Sequence, residues 1–461
     1  MNLKLSVFFL FAFIFLMSDE SRCQQDLKNL TKQEYDSILA VKPDDATVHY
    51  YYALFLETKL NDYNGAKEHF EKSLKINPKY LPAHLNYASM LQYQMNDYTG
   101  AKKEFQAALK IDSMNEWGNH YYGFLLESRF NDYQGARKYY EKAMNITKTG
   151  EPVLYYRYAR LMEKEFKDSA VAAYYYKSAF ERSSKLKDAA ISYADITFLK
   201  FHDYKTAKLY YEKGNVLESE NATGCFNYAL LMDENFHDTL TAKKNYEKAL
   251  SLDDKSANAH FYYAKLLDLK LNNFADAKIH YEKALELNPD VADEHYFYAR
   301  LLDAKSTDVS NAKKHYELAL KLDSKNSYYY FYYADLLRTK FNDPLGAKLN
   351  IEKSLEIDSN NTWTQYTYAG ILKQFNDMEG AKKHYELALK IDPHNEWALK
   401  GYASFLSSNT DDFESSRAKF EQMMEVNPDD AETQLNYANL IFEKRNWMWR
   451  NKEEWGANKF E

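Results

Sequence analysis

A fixed period constrains this chain more than any other property. A tyrosine followed by a small residue returns at Tyr52, Tyr87, Tyr122, Tyr158, Tyr193, Tyr228, Tyr263, Tyr298, Tyr333, Tyr368, Tyr402 and Tyr437, at separations of 34, 35 or 36 residues. A second series keeps phase with it, from Ala66, Ala101 and Ala136 through Ala277 and Ala347 to Ala381 and Ser416. An aromatic stands four residues after each member, with Ile351 the one exception. Two series locked together down a chain mean one structural unit copied many times, and a period of this length is that of a stacked array.

Within one unit the apolar spacing predicts two helices. The first covers residues 46–60, with Val48, Tyr52, Phe55 and Leu56 along one face and Pro43-Asp44-Asp45 supplying its N-cap oxygens. The second covers 65–76, with Ala66, Phe70, Ser73 and Leu74 inward. Asn61-Asp62 lies between them, and the Asn-Asp pair returns at Asn96, Asn131, Asn342 and Asn376, where side chains that bond their own backbone favour a turn. Pro43, Pro78, Pro289, Pro393 and Pro428 share one register just past the second helix and stop it. With only 13 glycines and 8 prolines in 461 residues, collagen and turn-rich β folds are excluded. One hairpin cannot bury both of its faces, so stability must come from stacking neighbours, and the fold class is an all-α solenoid.

The unit Tyr52-Ala53 … Asp62-Tyr63 … Ala66 … Phe70 … Ser73-Leu74 … Pro78 resembles the tetratricopeptide repeat, over roughly residues 26–445. Ala53 and Ala66 are thirteen apart where the family usually has twelve, while Ala369 and Ala381 keep twelve. The resemblance implies a right-handed α-solenoid of about eleven helical hairpins over residues 46–430, acting through protein–protein contacts. It also implies a concave groove lined by the first helices. Two residues before each marker tyrosine, the column facing that groove would include Tyr50, Tyr156, Phe226, Phe261, Tyr296, Phe331 and Tyr366. Such a stripe is either core or a surface for extended peptide or stacked sugars.

The ends are out of phase with closed repeats. Residues 24–45 carry a second helix without its first, with Tyr35, Leu39 and Val41 at the register of Phe70, Leu74 and Ile76. Residues 431–461 hold a first helix around Tyr437 and a degenerate Trp-rich tail, 446–461, containing Trp447, Trp449 and Trp455. These half-repeats either cap the solenoid or complete one another between molecules. A head-to-tail contact of the second kind does not close and generates a fibre.

Residues 1–23 differ from the rest. Lys4 precedes a thirteen-residue apolar run, 5–17, about 20 Å of helix and short of the ~30 Å hydrocarbon core. A signal peptide cleaved before Gln24 is expected, placing the chain outside the cell or in the secretory lumen with no membrane contact afterwards. Four sequons, at Asn29, Asn145, Asn221 and Asn360, then become N-glycosylation sites. Lys and Arg number 60 against 68 acids, interspersed, so no basic field attracts nucleic acid. Two cysteines, Cys23 and Cys225, do not make a disulfide framework.

No phosphate loop, nucleophile elbow or metalloprotease motif occurs, so neither catalysis nor a cofactor is expected. His69, His280, His315 and His384 share one place in their repeats, which repeat copying explains better than a metal ladder. Glu71-Lys72, Glu247-Lys248 and Glu282-Lys283 are expected on a solvated face. Two functions remain: a secreted structural scaffold assembling head to tail, which the complementary ends favour, or a soluble adaptor holding a peptide or protein in its groove.

Overall fold

The computed structural model describes residues 27–146, 151–305, 308–409 and 412–457. It holds 24 α-helices and, among the described residues, no strand. The chain falls into two compact units, 1–231 and 232–461.

The first described helix of the first unit is α1 (Lys32–Val41), which stands at the register of a second helix. Five hairpins follow: α2 (Ala46–Leu60) with α3 (Tyr63–Ile76), α4 (Leu81–Tyr93) with α5 (Tyr98–Ile111), α6 (Glu116–Phe130) with α7 (Tyr133–Ile146), α8 (Pro152–Lys164) with α9 (Ser169–Arg182), and α10 (Lys187–Leu199) with α11 (Tyr204–Lys213). The boundary between units falls inside α12 (Ala222–Glu234). In the second unit, α13 (Thr239–Leu252) precedes five hairpins: α14 (Ala257–Leu269) with α15 (Phe274–Leu287), α16 (Ala292–Lys305) with α17 (Val309–Leu322), α18 (Ser327–Thr339) with α19 (Pro344–Ile357), α20 (Thr362–Gln374) with α21 (Met378–Ile391), and α22 (Glu396–Asn409) with α23 (Phe413–Val426). The described chain ends in α24 (Ala431–Ala457). No described helix is long and apolar enough to cross a membrane.

Each hairpin is made by local chemistry. Asp45 caps α2, its side chain accepting from the Thr47 and Val48 amides at 3.0 and 3.1 Å. Asn61 then turns left-handed at φ 53°, which lets the Asp62 amide reach back to the Leu56 carbonyl at 2.9 Å. Asp62 in turn caps α3 by accepting from the Gly65 amide at 2.9 Å. A Cβ at Gly65 would sit 2.5 Å from the Asp62 carboxylate, which must give way in the hairpins where Val171, Thr206 and Thr241 hold the same place. The same left-handed turn recurs at Asn96, Asn131, Asn272, Asn342 and Asn376, at His202 and His237, and also at Lys167, a residue less suited to it.

The core is the small-residue seam with the rings beside it. Ala53 and Ala66 are wholly buried, as are their counterparts Ala88 with Ala101 and Ala299 with Ala312, so the paired helices approach closely. Phe70, Phe105, Tyr140, Tyr176 and Tyr211 fill the inter-repeat layer of the first unit, and Tyr246, Tyr281, Tyr316 and Phe420 that of the second. Burying one such ring stabilises by about 2–3 kcal/mol. Where the second helix carries serine instead of alanine, its hydroxyl donates to a carbonyl at the start of the first helix: Ser73 to Ala46 at 2.7 Å, Ser354 to Ser327 at 2.9 Å.

Candidate functional site

A ladder of hydrogen bonds joins one repeat to the next. In most repeats the marker tyrosine of the first helix donates its hydroxyl to a carboxylate on the preceding second helix: Tyr87 to Glu71 at 2.9 Å and Tyr158 to Glu141 at 2.8 Å in the first unit. In the second unit the bonds run Tyr263 to Glu247 at 2.9 Å, Tyr298 to Glu282 at 2.6 Å, Tyr333 to Glu317 at 2.7 Å and Tyr402 to Glu386 at 2.9 Å. At Tyr122 the direction reverses, and Gln106 donates to the tyrosine at 2.9 Å. Burial first, and the carboxylate bond second, push Tyr87, Tyr263 and Tyr298 above the ordinary tyrosine range, so these phenols stay neutral donors. Glu71, Glu247 and Glu282 are therefore not a merely solvated face, as their Glu-Lys pattern suggests, but the acceptors of this ladder. The signal in the sequence is the recurring offset from glutamate to tyrosine, sixteen residues at Glu71, Glu247 and Glu282 and seventeen at Glu141.

The column two residues before the markers is divided between the core and its edge. Tyr50, Phe261 and Tyr296 are buried, at 8, 7 and 7 % exposure, while Tyr156, Phe226, Phe331 and Tyr366 are half-buried. A first helix is covered by the second helices on either side, which draws this column into the core. What the first helices leave half-exposed stands one residue nearer the marker and is interleaved with cations. The Arg157 guanidinium sits 3.8 Å from the Phe124 ring centre and 5.6 Å from that of Tyr121. In the second unit Lys265 lies 5.1 Å from Tyr262 and 4.9 Å from Phe297, and Arg300 lies 5.7 Å from both Phe297 and Tyr332. Asp195, on the same face of α10, accepts from Tyr211 at 2.6 Å and Asn227 at 2.8 Å, and burial pushes its carboxyl up to about 6.

The two ends differ. Tyr35 is fully buried, its ring 4.8 Å from Tyr52 and its hydroxyl donating to the Leu27 carbonyl, so residues 27–30 cover part of the face that a first helix would take. Leu39 is half-buried and Val41 exposed. At the other end α24 runs unbroken to Ala457, so first helix and tail are one element with no second turn. Tyr437 is half-buried and donates to Glu421 at 2.9 Å. The side chains of Trp447, Trp449 and Trp455 lie outside the described residues. Of the sequon asparagines, Asn29, Asn145 and Asn360 are exposed. Asn221 is half-buried and accepts from the Gly224 amide at 2.9 Å.

Comparison with known proteins supports the tetratricopeptide-repeat family. Tetratricopeptide-repeat models match residues 58–117, 266–327 and 364–395. No curated protein matches the chain in sequence. Among solved structures, a protective antigen present in uropathogenic Escherichia coli strains, displaying an SLR fold, matches at a TM-score of 0.59 and 16% identity, covering 88% of each chain. The C-terminal part of a tetratricopeptide-repeat-containing protein from Cytophaga hutchinsonii matches at a TM-score of 0.40 and 18% identity, over 53% of this chain and 97% of that part. PilF of Pseudomonas aeruginosa matches at a TM-score of 0.42 and 22% identity, over 48% of this chain and 97% of its own. Likeness at this identity is likeness of fold: an all-α solenoid of paired hairpins.

Proposed function

We propose that this chain is a secreted, non-catalytic scaffold that assembles with copies of itself head to tail. The observation that carries the reading is the uncovered face of α24. Leu435 and Ile441 are 60 and 37 % exposed, whereas Tyr50 and Leu56 at the same places in α2 are 8 and 3 % exposed. Phe442 beside them is 62 % exposed, and Ala438 is exposed where Ala53 is fully buried. This is the face against which an internal first helix receives its own second helix. Among the described residues α1 has no first helix as a partner, and its Val41 is open. Docking α24 of one molecule on α1 of another would complete a repeat across the junction, in competition with residues 27–30 over Tyr35. The apolar run at 5–17 and the four sequons favour assembly outside the cell, with N-linked glycans on the assembled chain.

Light scattering and electron microscopy of the chain from Gln24 onward, over a concentration series, test this. Filaments are expected from the native chain and monomers from a Leu435→Glu, Phe442→Glu double variant. A native chain that stays monomeric throughout overturns the reading. That outcome leaves a soluble adaptor whose partner lies across the first-helix face, a reading favoured by the Tyr262, Lys265, Phe297, Arg300 and Tyr332 row.

A further inference from the structure

Three hairpins carry the same two-histidine arrangement, one histidine on each helix. His49 and His69 face each other at 2.9 Å between Nδ1 atoms, His260 and His280 at 2.8 Å, and His295 and His315 at 2.8 Å. In every case the other nitrogen, Nε2, of the first histidine lies against a carbonyl of the preceding turn: Pro43 at 2.9 Å, Asp254 at 3.1 Å and Pro289 at 2.9 Å. A carbonyl only accepts, so Nε2 of the first histidine carries a hydrogen and its Nδ1 is bare in the neutral ring. The second histidine must then donate through Nδ1–H. Each couple thus ties the two helices of a hairpin to each other and to the turn before them.

Metal binding does not fit this geometry as well. Two nitrogens on one tetrahedral ion at about 2.05 Å stand about 3.3 Å apart, wider than these pairs. No group of three or more ligating side chains occurs among the described residues. Two other hairpins fill the same places with groups that keep the bond: His84 with Glu104 at 2.6 Å, and Gln365 with His384 at 2.6 Å. Gln365 also donates to the Ser359 carbonyl at 2.8 Å, reproducing both bonds of a first histidine.

We propose that the three histidine couples are acid-released clamps, built into hairpins α2–α3, α14–α15 and α16–α17. One proton can enter a couple on Nε2 of the second ring and leave the Nδ1 bond intact. A second proton must go to Nδ1 of the first ring, where it turns the acceptor into a donor and sets two cations face to face. The clamp then opens. The Gln365 and His384 couple cannot fail in this way, because an amide oxygen accepts from either form of the ring.

The surroundings oppose charging. Burial, then the facing histidine, push His69 and His315 down to about 4, and the same two causes lower His280. Burial lowers His260 and His295. Around the first couple stand Asp36 of α1, Glu68 and Lys72 of α3 and the Tyr52 ring of α2; around the second, Glu247 of α13, Asp254 of the turn, Asp276 and Lys283 of α15 and the Tyr263 ring of α14. The third is faced by Asp290 of the turn, Asp308 and Lys314 beside and within α17, and the Tyr298 ring of α16. The lowered values mean that stability is complete above the free histidine value of about 6.5 and is lost as pH falls toward about 4.

The test is thermal unfolding by circular dichroism of the full chain against a His49→Gln, His260→Gln, His295→Gln variant, stepped from pH 7 to 4. Gln at the first place copies the Gln365 couple. The variant should match the native chain at pH 7 and exceed its midpoint at pH 4 by about 4 °C or more. Parallel midpoints at all pH values overturn the proposal. A Gln365→His chain carries the converse test should the triple variant fail to fold: it adds a fourth clamp and should lose more stability in acid than the native chain, and an unchanged acid loss overturns the proposal equally.

Discussion

Glu294 of the second unit is an acid buried at a cost, and replacing it should reveal by how much. It lies in the first turn of α16, 1 % exposed, with one carboxylate oxygen buried and without a hydrogen-bond partner. The same place in other first helices holds Val48, Ala83, Leu154 or Ala259, each buried without such a cost. Burial pushes the Glu294 carboxyl from 4.5 up to about 7. A raised carboxyl binds its proton more tightly folded than unfolded, so the folded state is penalised above pH 7 and relieved progressively down to about pH 4.5. A shift of that size amounts to about 3 kcal/mol above both values. Glu294→Gln removes the charge and retains a buried amide, which costs about 1 kcal/mol if poorly paired, so a net gain of about 2 kcal/mol is expected at pH 8. At pH 5, where Glu294 is already protonated in the folded chain, most of the gain should vanish. Urea denaturation followed by circular dichroism at both pH values measures the difference. A gain equal at pH 5 and pH 8, or none at pH 8, would refute the assignment of the penalty to a buried charge.

Two further outcomes are expected from the hairpin and ladder geometry. Tyr298→Phe removes the 2.6 Å bond to Glu282, which keeps Lys278 at 3.8 Å as a second partner, so a loss of about 1 kcal/mol is expected in urea titration. No loss would mean that the ladder is geometric only. Lys167→Asn places a residue tolerant of left-handed backbone at φ 55° and should stabilise by about 0.5–1 kcal/mol in the same assay, whereas a loss would show that Lys167 holds a contact worth more than its strain.

The hairpins were legible in the sequence because apolar spacing, small residues and turn chemistry agree in each copy. The helix expected over 46–60 is α2 residue for residue, and that expected from 65 begins two residues earlier, at Tyr63, because Asp62 is its cap. The turn itself is set less by Asn61 than by the capping residue after it. Lys167, His202 and His237 take the left-handed place, but Asp168, Asp203 and Asp238 still cap the second helices α9, α11 and α13. That explains the tail: Asn446 stands at the turn position but is succeeded by Trp447, which supplies no cap, and α24 continues. Couplings between helices were harder to see. Glutamate and tyrosine sixteen apart, or histidine and histidine twenty apart, fall on no single helical face, so periodicity within an element does not bring them out. The column at Tyr50, Phe261 and Tyr296 was open between core and surface for a related reason: one helix's pattern does not say how many neighbours cover it.

Stability in a stacked array is close to a sum of repeat and nearest-neighbour contributions, so a titrating group acts mainly on its own hairpin. The hairpin of α16 and α17 holds two such groups of opposite sign, apart from Asp303, whose burial-raised carboxyl is matched by Asp268 in the preceding hairpin. Glu294 gains folded stability as pH falls from about 7 toward 4.5, while the couple of His295 and His315 loses it from about 6.5 toward about 4. Their effects offset over the same interval. The hairpin of α14 and α15 has the couple of His260 and His280, and its equivalent of Glu294 is Ala259, with nothing to titrate. Acid therefore bears unequally on two adjacent hairpins of the same build, weakening α14–α15 while α16–α17 is partly compensated. Glu294 then has a physical account that an isolated buried carboxyl lacks: its cost near neutral pH is recovered in the range where the neighbouring clamp fails.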